Sequence, residues 1–530
     1  MLHAARSLNG MVVSPHHLAS QAGLEVLREG GDAIEAMVAT AAAIAVVYPH
    51  MNSIGGDGFW LIAEPGKPPV AIDACGAAAA AATPDLYRAN GLTSVPWRGP
   101  LAANTVAGTL SGWNAALEIS RSWGSRLPLA RLVADAIRQA QEGVVVTPGM
   151  AETFAAKWGE LSSVPSAAIT LMTGPEPPRV GGLLRQPLLA ETLRRLGEAG
   201  AADFYTGGLA EDIAADLAAV GSPVTAADLA AHRAEMKTPL TVEIAEGALF
   251  NLPPPTQGLA SLLILALFDR LTARDAESFE HIHGLVEATK QAFLIRDQHV
   301  GDPAYMQIDP QALLSQPAAL DRLAAGIDPV RALPWPQPSA LGDTVWLGAI
   351  DRQGRAVSMI QSTYFEFGAG MVLPRTGIVW QNRGASFRIA DNGWNALKPG
   401  RKPFHTLNPA LARLRDGRTM VYGTMGGEGQ PQTQAAVFTR YARYGQDLQA
   451  AVTAPRWLLG RTWGEESTTL KLESRFNPAV IAALRAAGHD VEMVAPFTST
   501  MGHAGAIVRH PDGTLEGAAD PRSDGAAAGW

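Results

Sequence analysis

This 530-residue chain has a single cysteine, Cys75, so it can form no intrachain disulfide and nothing in its composition indicates an oxidising compartment. It also lacks a lysine- or arginine-rich cluster, and its formal net charge is -8. We therefore expect neither nucleic acid nor membrane among its partners. The longest apolar run, residues 36–48, is too short to span a bilayer and predicts a buried helix. Residues 1–11 lack the apolar core of a signal peptide, so we predict a cytoplasmic location.

The length exceeds that of a usual single-core domain, which favours several lobes or one large layered sandwich. Alanine-rich helical periodicity dominates the first part of the chain. Beyond position 344 the period changes to two: residues 345–350 and 355–361 predict a β-hairpin around the turn 351–354, and a further strand is predicted at 377–380. Residues 324–342 show little periodicity and are interpreted as a flexible tail.

The most informative feature is Thr344, a small polar residue at the start of the first predicted hairpin strand. If the bond between Asp343 and Thr344 were cut, Thr344 would carry a free α-amine beside its own hydroxyl, which is a nucleophile with its own general base. Such an amine, with a pKa of roughly 7.7 to 8.0, is partly neutral near pH 7. The alternative from this string alone is a turn that merely begins a strand.

Eight short strings in a shared order decide between these interpretations. The strings occupy residues 30–36, 52–59, 104–109, 204–207, 253–256, 287–290 with 292–293, 423–427 and 519–522. Each is weak alone, but because of their shared order the chain resembles the γ-glutamyltranspeptidase family of N-terminal-nucleophile hydrolases along nearly its whole length.

The resemblance implies a mixed α/β (α+β) fold, a four-layer αββα sandwich. It also implies autocleavage between Asp343 and Thr344 into a large fragment, 1–343, and a small fragment, 344–530. These fragments would stay together as a heterodimer, or as a dimer of heterodimers. No metal or organic cofactor is implied.

By the same resemblance, Thr344 is the catalytic nucleophile and Ser362 supplies a supporting hydroxyl. Gly426 and Gly427 match paired glycines whose N–H groups form an oxyanion hole. From the residues alone, Ser362 is equally well a solvent-facing strand serine, and a Gly-Gly pair is more often only a turn.

The segments that match the family's substrate pocket depart from its pattern. Cys75 stands where the family has an arginine for the glutamyl α-carboxylate. The segment in which the family carries an acidic residue for the α-ammonium has no acidic residue here and contains Arg383 instead. The remaining substrate-binding candidates are Asn382, His405, Thr406 and Tyr364, with His405 and Thr406 replacing paired serines. Loss of both ends of an amino-acid clamp argues against γ-glutamyl specificity, because buried charges without partners are costly.

A pocket with Arg383 and His405 suits a small anionic amide without an α-amino group. The strings around Trp346 and at residues 361–368 and 380–387 resemble the branch of the family that includes oxamate amidohydrolase of purine-ring catabolism. Hydrolysis of oxamate to oxalate and ammonia is therefore the preferred hypothesis. The alternatives are a γ-glutamyl hydrolase or transpeptidase, an acylase for a dicarboxylic amide, and an unprocessed relative that only binds a small anion.

Three further patterns carry weaker hypotheses. His283 and Glu287, four apart on a predicted helix with His281 nearby, could ligate a metal, but a polar helix face is the favoured interpretation. The string Gly55-Gly56-Asp57-Gly58 lacks the rest of a phosphate loop and predicts a tight turn beside the active site. His16 and His17 are expected to be structural.

Overall fold

The computed structural model describes residues 3–164, 169–335, 343–460 and 467–530. Its strands, in chain order, are β1 (Ala5–Ser7), β2 (Gly10–Ser14), β3 (Asp57–Ala63), β4 (Val70–Ala74), β5 (Val144–Val145), β6 (Leu183–Leu184), β7 (Glu235–Lys237), β8 (Leu240–Ile244), β9 (Gly247–Asn251), β10 (Asp343–Asp351), β11 (Ala356–Tyr364), β12 (Ala410–Leu414), β13 (Thr419–Thr424), β14 (Trp457–Leu459), β15 (Leu470–Glu473), β16 (Val491–Val494), β17 (Ala504–Arg509), β18 (Leu515–Ala519) and β19 (Ala526–Gly529).

The α-helices of the same ranges are α1 (His17–Arg28), α2 (Ala33–Val47), α3 (Pro84–Ala89), α4 (Thr109–Ser122), α5 (Leu129–Leu132), α6 (Ala134–Glu142), α7 (Pro148–Ser162), α8 (Thr170–Thr173), α9 (Pro187–Ala199), α10 (Asp203–Thr206), α11 (Gly208–Val220), α12 (Ala226–Ala231), α13 (Gly258–Phe268), α14 (Phe279–His299), α15 (Pro310–Leu314), α16 (Pro317–Ala325), α17 (Gly429–Phe438), α18 (Leu448–Thr453) and α19 (Pro478–Ala486). A π-helical turn, Thr439–Arg443, continues α17. Among these described helices, none is both long and apolar enough to cross a membrane.

Two seven-stranded antiparallel sheets form the centre. Sheet I has the order β19-β2-β10-β11-β3-β4-β7, and sheet II has the order β1-β18-β17-β13-β12-β9-β8. The sheets pack face to face, since Phe59 and Ile360 of sheet I share one buried cluster with Leu411 and Ile507 of sheet II. Helices α1, α2 and α4 cover the outer face of sheet I, and α13 and α17 cover that of sheet II. This is the predicted four-layer αββα sandwich.

Alternation along β10 explains why an apolar strand can serve both sides of sheet I. Val345, Leu347 and Ala349 belong to the cluster under the helices, whereas Trp346 and Ile350 belong to the cluster between the sheets. Successive side chains of a strand point to opposite faces, so a strand buried on both faces reads as a continuous apolar run.

The other predicted elements had mixed outcomes. The hairpin is present as β10 and β11, and the buried helix predicted at 36–48 is α2, of which every residue is buried. The strand predicted at 377–380 is wrong: that segment makes only isolated bridges, one of them between Trp380 and Gly55. Of the tail predicted at 324–342, the first two residues end α16, and residues 336–342 lie outside the described part of the chain.

The predicted fragments 1–343 and 344–530 both contribute strands to both sheets. In sheet I, β10 lies between β2 of the large fragment and β11 of the small one. Cleavage before Thr344 would therefore leave two chains that share their sheets and their core. The division of the chain into these two fragments stays a prediction.

Candidate active site

Thr344 lies at an irregularity in the β10–β11 pairing. Asp343 pairs with Tyr364 and Val345 with Gln361, so the register shifts at Thr344. Such a bulge re-aims a side chain locally. The buried Thr344 Oγ1–H donates to Ser362 Oγ over 3.3 Å, and Ser362 Oγ accepts the Tyr364 N–H at 2.8 Å. The two predicted hydroxyls are thus brought together.

The glycine-rich turn before β3 lies directly against this pair. Asp57 is the β3 partner of Ser362. Gly56 approaches so closely that a Cβ there would lie 2.1 Å from the Ser362 carbonyl oxygen, so no larger residue fits. This places the turn where the sequence predicted it.

The glycine pair follows β13 at the same end of the sandwich. Trp346, two residues after Thr344, packs against Gly423 so tightly that a Cβ at that glycine would lie 2.1 Å from the indole. Gly426 and Gly427 then turn the chain with φ of 115° and 50°, which favours glycine. Within the described ranges neither amide nitrogen has a hydrogen-bond acceptor. Two free N–H groups are what an oxyanion requires.

A buried polar network that the sequence did not reveal fixes this turn. Gln257 Nε2 donates to the carbonyl oxygens of Gly427 at 2.8 Å and Thr406 at 2.6 Å. Gln257 Oε1 accepts a hydrogen bond from Arg296 Nη1. The other terminal nitrogen of Arg296, Nη2, donates to Glu428 Oε2 at 2.8 Å. One side chain therefore connects the glycine pair to the predicted substrate pocket.

Arg383 is the charged group of that pocket. It is 1% exposed, its guanidinium carbon lies 3.8 Å from the centre of the Tyr364 ring, and Nη1 donates to Thr406 Oγ1 at 3.4 Å. Its Nε and Nη2 find no partner among the described residues. Burial lowers the pKa of Arg383 to about 10, so it remains a cation at neutral pH. A buried guanidinium with two free donors is prepared to bind a carboxylate.

Asp57 and His405 complete the pocket. His405 Nε2 lies 3.2 Å from Asp57 Oδ2, but neither imidazole nitrogen makes a hydrogen bond within the described chain, so proximity rather than a bond joins them. Burial, then Arg383 and Lys402, hold the pKa of His405 well below its usual value, and the ring is neutral. Burial raises the pKa of Asp57 to about 7, against the opposing effect of hydrogen bonds and Arg383.

The remaining substrate-pocket candidates have different surroundings. Tyr364 adopts a φ of 84°, a backbone conformation that non-glycine residues rarely take and that is often retained at functional sites. Asn382 Oδ1 accepts the Phe365 N–H at 3.1 Å and its Nδ2 donates to the Trp97 carbonyl at 2.7 Å, so its amide fastens the loop. Its contact with substrate stays a prediction.

Cys75 contributes no charge to the pocket. It is buried, and burial, reinforced by Asp73, raises the pKa of its thiol well above the usual value. The thiol is therefore neutral where the family resemblance would place a cation. Lys402 and Arg383 both interact electrostatically with this thiol, but Lys402 is bonded to Asp73 and Glu235, whereas Arg383 keeps two donors without a partner among the described residues.

The histidines outside the pocket that the sequence analysis singled out have structural partners. His16 Nδ1 accepts the Leu18 N–H and caps α1, as expected of a structural residue. His281 bonds to Thr439. His283 and Glu287 are buried, so the expected polar helix face is wrong.

These two residues lie with His489 rather than His281, and their ligand atoms are within 4.8 Å of one another. The Lys290 ammonium is 2.7 Å from Glu287 Oε1 and already neutralises it. The set therefore fits a metal ion poorly.

Comparison with known proteins agrees with this architecture. The profile of the gamma-glutamyltranspeptidase family matches residues 19–530. The chain is 58% identical to the oxamate amidohydrolase proenzyme of Klebsiella pneumoniae over 99% of both chains. It is 40% identical to the glutathione hydrolase-like YwrD proenzyme of Bacillus subtilis over 98% of both. A cephalosporin acylase from Bacillus halodurans has the same fold, with a TM-score of 0.91 at 33% identity over 100% of this chain and 97% of that one.

The chain therefore belongs to the γ-glutamyltranspeptidase family of enzymes. The match extends over both predicted fragments, so it covers the segment of Thr344 as well as that of Arg383.

Proposed function

We propose that this protein is an autoprocessing N-terminal-nucleophile amidohydrolase that converts oxamate and water to oxalate and ammonia. The observation that carries the proposal is the buried Arg383, whose two free donors share a pocket with Tyr364, the residue bonded to Ser362 beside Thr344. The similarity to the Klebsiella oxamate amidohydrolase proenzyme supports the same substrate.

In this proposal the Asp343–Thr344 bond is cut first. The product is a heterodimer of residues 1–343 and 344–530 that the shared sheets hold together. Thr344 then carries the α-amine that serves as its base.

In the catalytic cycle, Thr344 Oγ1 bonds to the amide carbon while its proton passes to the α-amine. The N–H groups of Gly426 and Gly427 stabilise the negative oxygen. The carbon–nitrogen bond then breaks, the ammonium returns its proton to the leaving nitrogen, and ammonia departs. Water attacks the remaining oxalyl ester with the same amine as base, which releases oxalate and restores the hydroxyl.

Recognition in this proposal depends on charge and size. Arg383 and Thr406 hold the substrate carboxylate, with Tyr364 stacked on the guanidinium. A γ-glutamyl substrate would bring its α-ammonium to a region that now holds Arg383, and its α-carboxylate to the neutral Cys75. Both ends of such a zwitterion would lose their partners, which costs several kcal/mol, on the order of 2 to 5.

A panel of amides tests the substrate. Purified protein would be given oxamate, glutaramate (the monoamide of glutarate) and γ-glutamyl-p-nitroanilide, and the release of ammonia or of p-nitroaniline would be measured. Oxamate should give the highest kcat/KM. A higher kcat/KM for γ-glutamyl-p-nitroanilide would indicate a γ-glutamyl hydrolase instead, and a higher value for glutaramate would indicate an acylase for dicarboxylic amides.

Absence of turnover together with an uncut chain would indicate an anion-binding relative. A role in purine-ring catabolism, the cytoplasmic location and the dimer of heterodimers stay predictions.

A further inference from the structure

Gln257, the residue that caps the start of α13, bonds to three carbonyl groups around the candidate active site. Its Nε2 donates to the carbonyl oxygens of Gly427 at 2.8 Å and Thr406 at 2.6 Å. Its backbone N–H donates to the carbonyl oxygen of His405 at 2.9 Å. Gly427 belongs to the proposed oxyanion hole, and Thr406 Oγ1 contacts Arg383. One residue therefore holds both the glycine turn and a wall of the carboxylate pocket.

Arg296, near the end of α14, fixes the direction in which the Gln257 amide points. Its Nη1 donates to Gln257 Oε1 at 2.9 Å. A guanidinium offers only donors, whereas the two carbonyl groups on the other side of the amide only accept. The amide therefore satisfies all its neighbours in a single orientation, with its oxygen toward Arg296. The reverse orientation would leave buried polar groups unpaired, at about 1 to 3 kcal/mol each.

The same guanidinium neutralises the carboxylate beside the glycine turn. Glu428 follows Gly427 directly, and its buried Oε2 accepts from Arg296 Nη2 at 2.8 Å. Arg296 is buried as well: its Nε donates to Asp297 Oδ1 at 2.7 Å, and its guanidinium carbon lies 3.7 Å from the centre of the Phe293 ring. An unpaired carboxylate at Glu428 would oppose negative charge on the substrate oxygen, because like charges repel most in a low dielectric. Arg296 removes that opposition.

We propose that Gln257 and Arg296 are positioning residues, which hold the N–H groups of Gly426 and Gly427 where the oxygen of the tetrahedral intermediate forms. This inference rests on the proposed function. The two residues act through the Gly427 carbonyl and through Glu428, not on the substrate. Both belong to residues 1–343, whereas the glycine turn belongs to residues 344–530. The large fragment thus sets the geometry of the oxyanion hole that the small fragment carries.

Replacing Gln257 by methionine removes the side-chain hydrogen bonds while approximately keeping the volume. The N–H groups of the turn remain but lose their fixed position. Loss of one oxyanion donor costs about 100-fold to 1,000-fold in kcat, and a displacement of about 1 Å can cost 100-fold. We expect Gln257→Met to lower kcat for oxamate about 10-fold to 100-fold. Arg296→Lys should lose less, since an ammonium still pairs with Glu428 but lacks the fork that also reaches Gln257.

Two inhibitors of the processed enzyme separate positioning from general damage. Glyoxylate is the aldehyde that corresponds to oxamate. The Thr344 hydroxyl adds to its carbonyl carbon and the hydroxyl proton passes to the aldehyde oxygen, which gives a hemiacetal with that oxygen in the oxyanion position. Oxalate stays planar. Displaced N–H groups should raise the inhibition constant of glyoxylate by about the factor lost in kcat, and that of oxalate by less than about threefold.

The matched controls carry the same substitutions at other buried sites. Gln449 Nε2 donates to the Ala519 carbonyl at 2.9 Å, and Arg440 Nε lies 2.6 Å from Glu277 Oε1. Gln449→Met and Arg440→Lys should keep the wild-type kcat and the wild-type ratio of the two inhibition constants. Thermal denaturation and a denaturing gel show which variants fold and are cut.

An unchanged kcat in Gln257→Met, or equal rises of both inhibition constants, would overturn the proposal. A folded Gln257→Met chain that stays uncut would also overturn it, because the network would then serve maturation. If Gln257→Met does not fold, Arg296→Lys decides by the same two constants. A wild-type enzyme that does not hydrolyse oxamate would instead refute the proposed function itself.

Discussion

Replacing Arg383 by alanine tests the carboxylate site most directly. The guanidinium is 1% exposed and stacks on Tyr364, and Lys402, the other cation that acts on His405, is held by Asp73 and Glu235. The Nε and Nη2 donors have no partner among the described residues, so they are available to form two hydrogen bonds to a carboxylate. Without Arg383, a substrate carboxylate at this position would be buried near Asp57 and would lose the cation that pairs with it.

The expected loss follows from the cost of breaking a buried, hydrogen-bonded charge pair, about 2 to 5 kcal/mol. Since about 1.36 kcal/mol corresponds to a tenfold change in rate, kcat/KM for oxamate should fall roughly 30-fold to 5,000-fold. Autocleavage should survive, because it involves only the chain's own peptide bond. Arg383→Lys should lose less, since an ammonium retains the charge but not the two-pronged geometry.

The assay compares oxamate with oxamide, which replaces the substrate carboxylate by a neutral amide. The ratio of the two kcat/KM values isolates the contribution of the charge from general damage to the site. Arg401→Ala is the control, because Arg401 is also buried, at 4% exposed, but donates to the Ala396 carbonyl instead. Its oxamate-to-oxamide ratio should match that of the wild type.

If Arg383→Ala changed oxamate and oxamide turnover equally, the carboxylate would not lie on Arg383. His405 would then be the next candidate for hydrogen bonding to it. A normal ratio in Arg383→Ala combined with a reduced ratio in His405→Gln would move the site there.

Three further predictions concern maturation, specificity and pH. Thr344→Ala should remain one chain on a denaturing gel while the wild type gives two pieces, and efficient cutting of the variant at the same bond would exclude self-processing. γ-Glutamyl-p-nitroanilide should be hydrolysed far more slowly than oxamate; equal rates would contradict the reasoning from Cys75 and Arg383. As pH rises through about 7, Asp57 ionises and competes with the substrate carboxylate for Arg383, so the inhibition constant of oxalate should increase between about pH 6 and pH 8. Asp57→Asn should flatten that increase, and a wild-type dependence in the variant would assign it to another group.

The hairpin and the buried helix could be predicted because their signals are local. The period-two pattern after Thr344 and the turn before Arg355 lie in one short stretch, and β10 and β11 pair as antiparallel neighbours. The segment 377–380 has a similar apolar pattern but makes only single bridges, to Gly55 and Val372, which lie outside the strands of both sheets. Local propensity is a weak guide where sheet pairing decides.

Asp57 and Gln257 were missed as site residues for a different reason. Each belongs to a string that resembles only a turn or a helix start, and no chemical signal in the sequence marks its partner. Their importance follows from contacts made across the fold: Asp57 near His405, and Gln257 to Gly427. Burial then raises the pKa of Asp57 and lowers that of His405, and burial cannot be assigned from composition.

The sequence by itself determined the family and singled out Thr344 as the predicted nucleophile, because ordered short strings and a threonine at the start of a strand are properties of contiguous residues. Only the tertiary structure decided that Ser362 lies within hydrogen-bond reach of Thr344 and that Arg383 has donors without a partner among the described residues. It also decided that His283 and Glu287 contact the backbone of Asp328 and Leu333. The physical reason is that hydrogen-bond satisfaction and desolvation depend on the whole set of neighbours, and packing two sheets between helices brings those neighbours from distant parts of the chain.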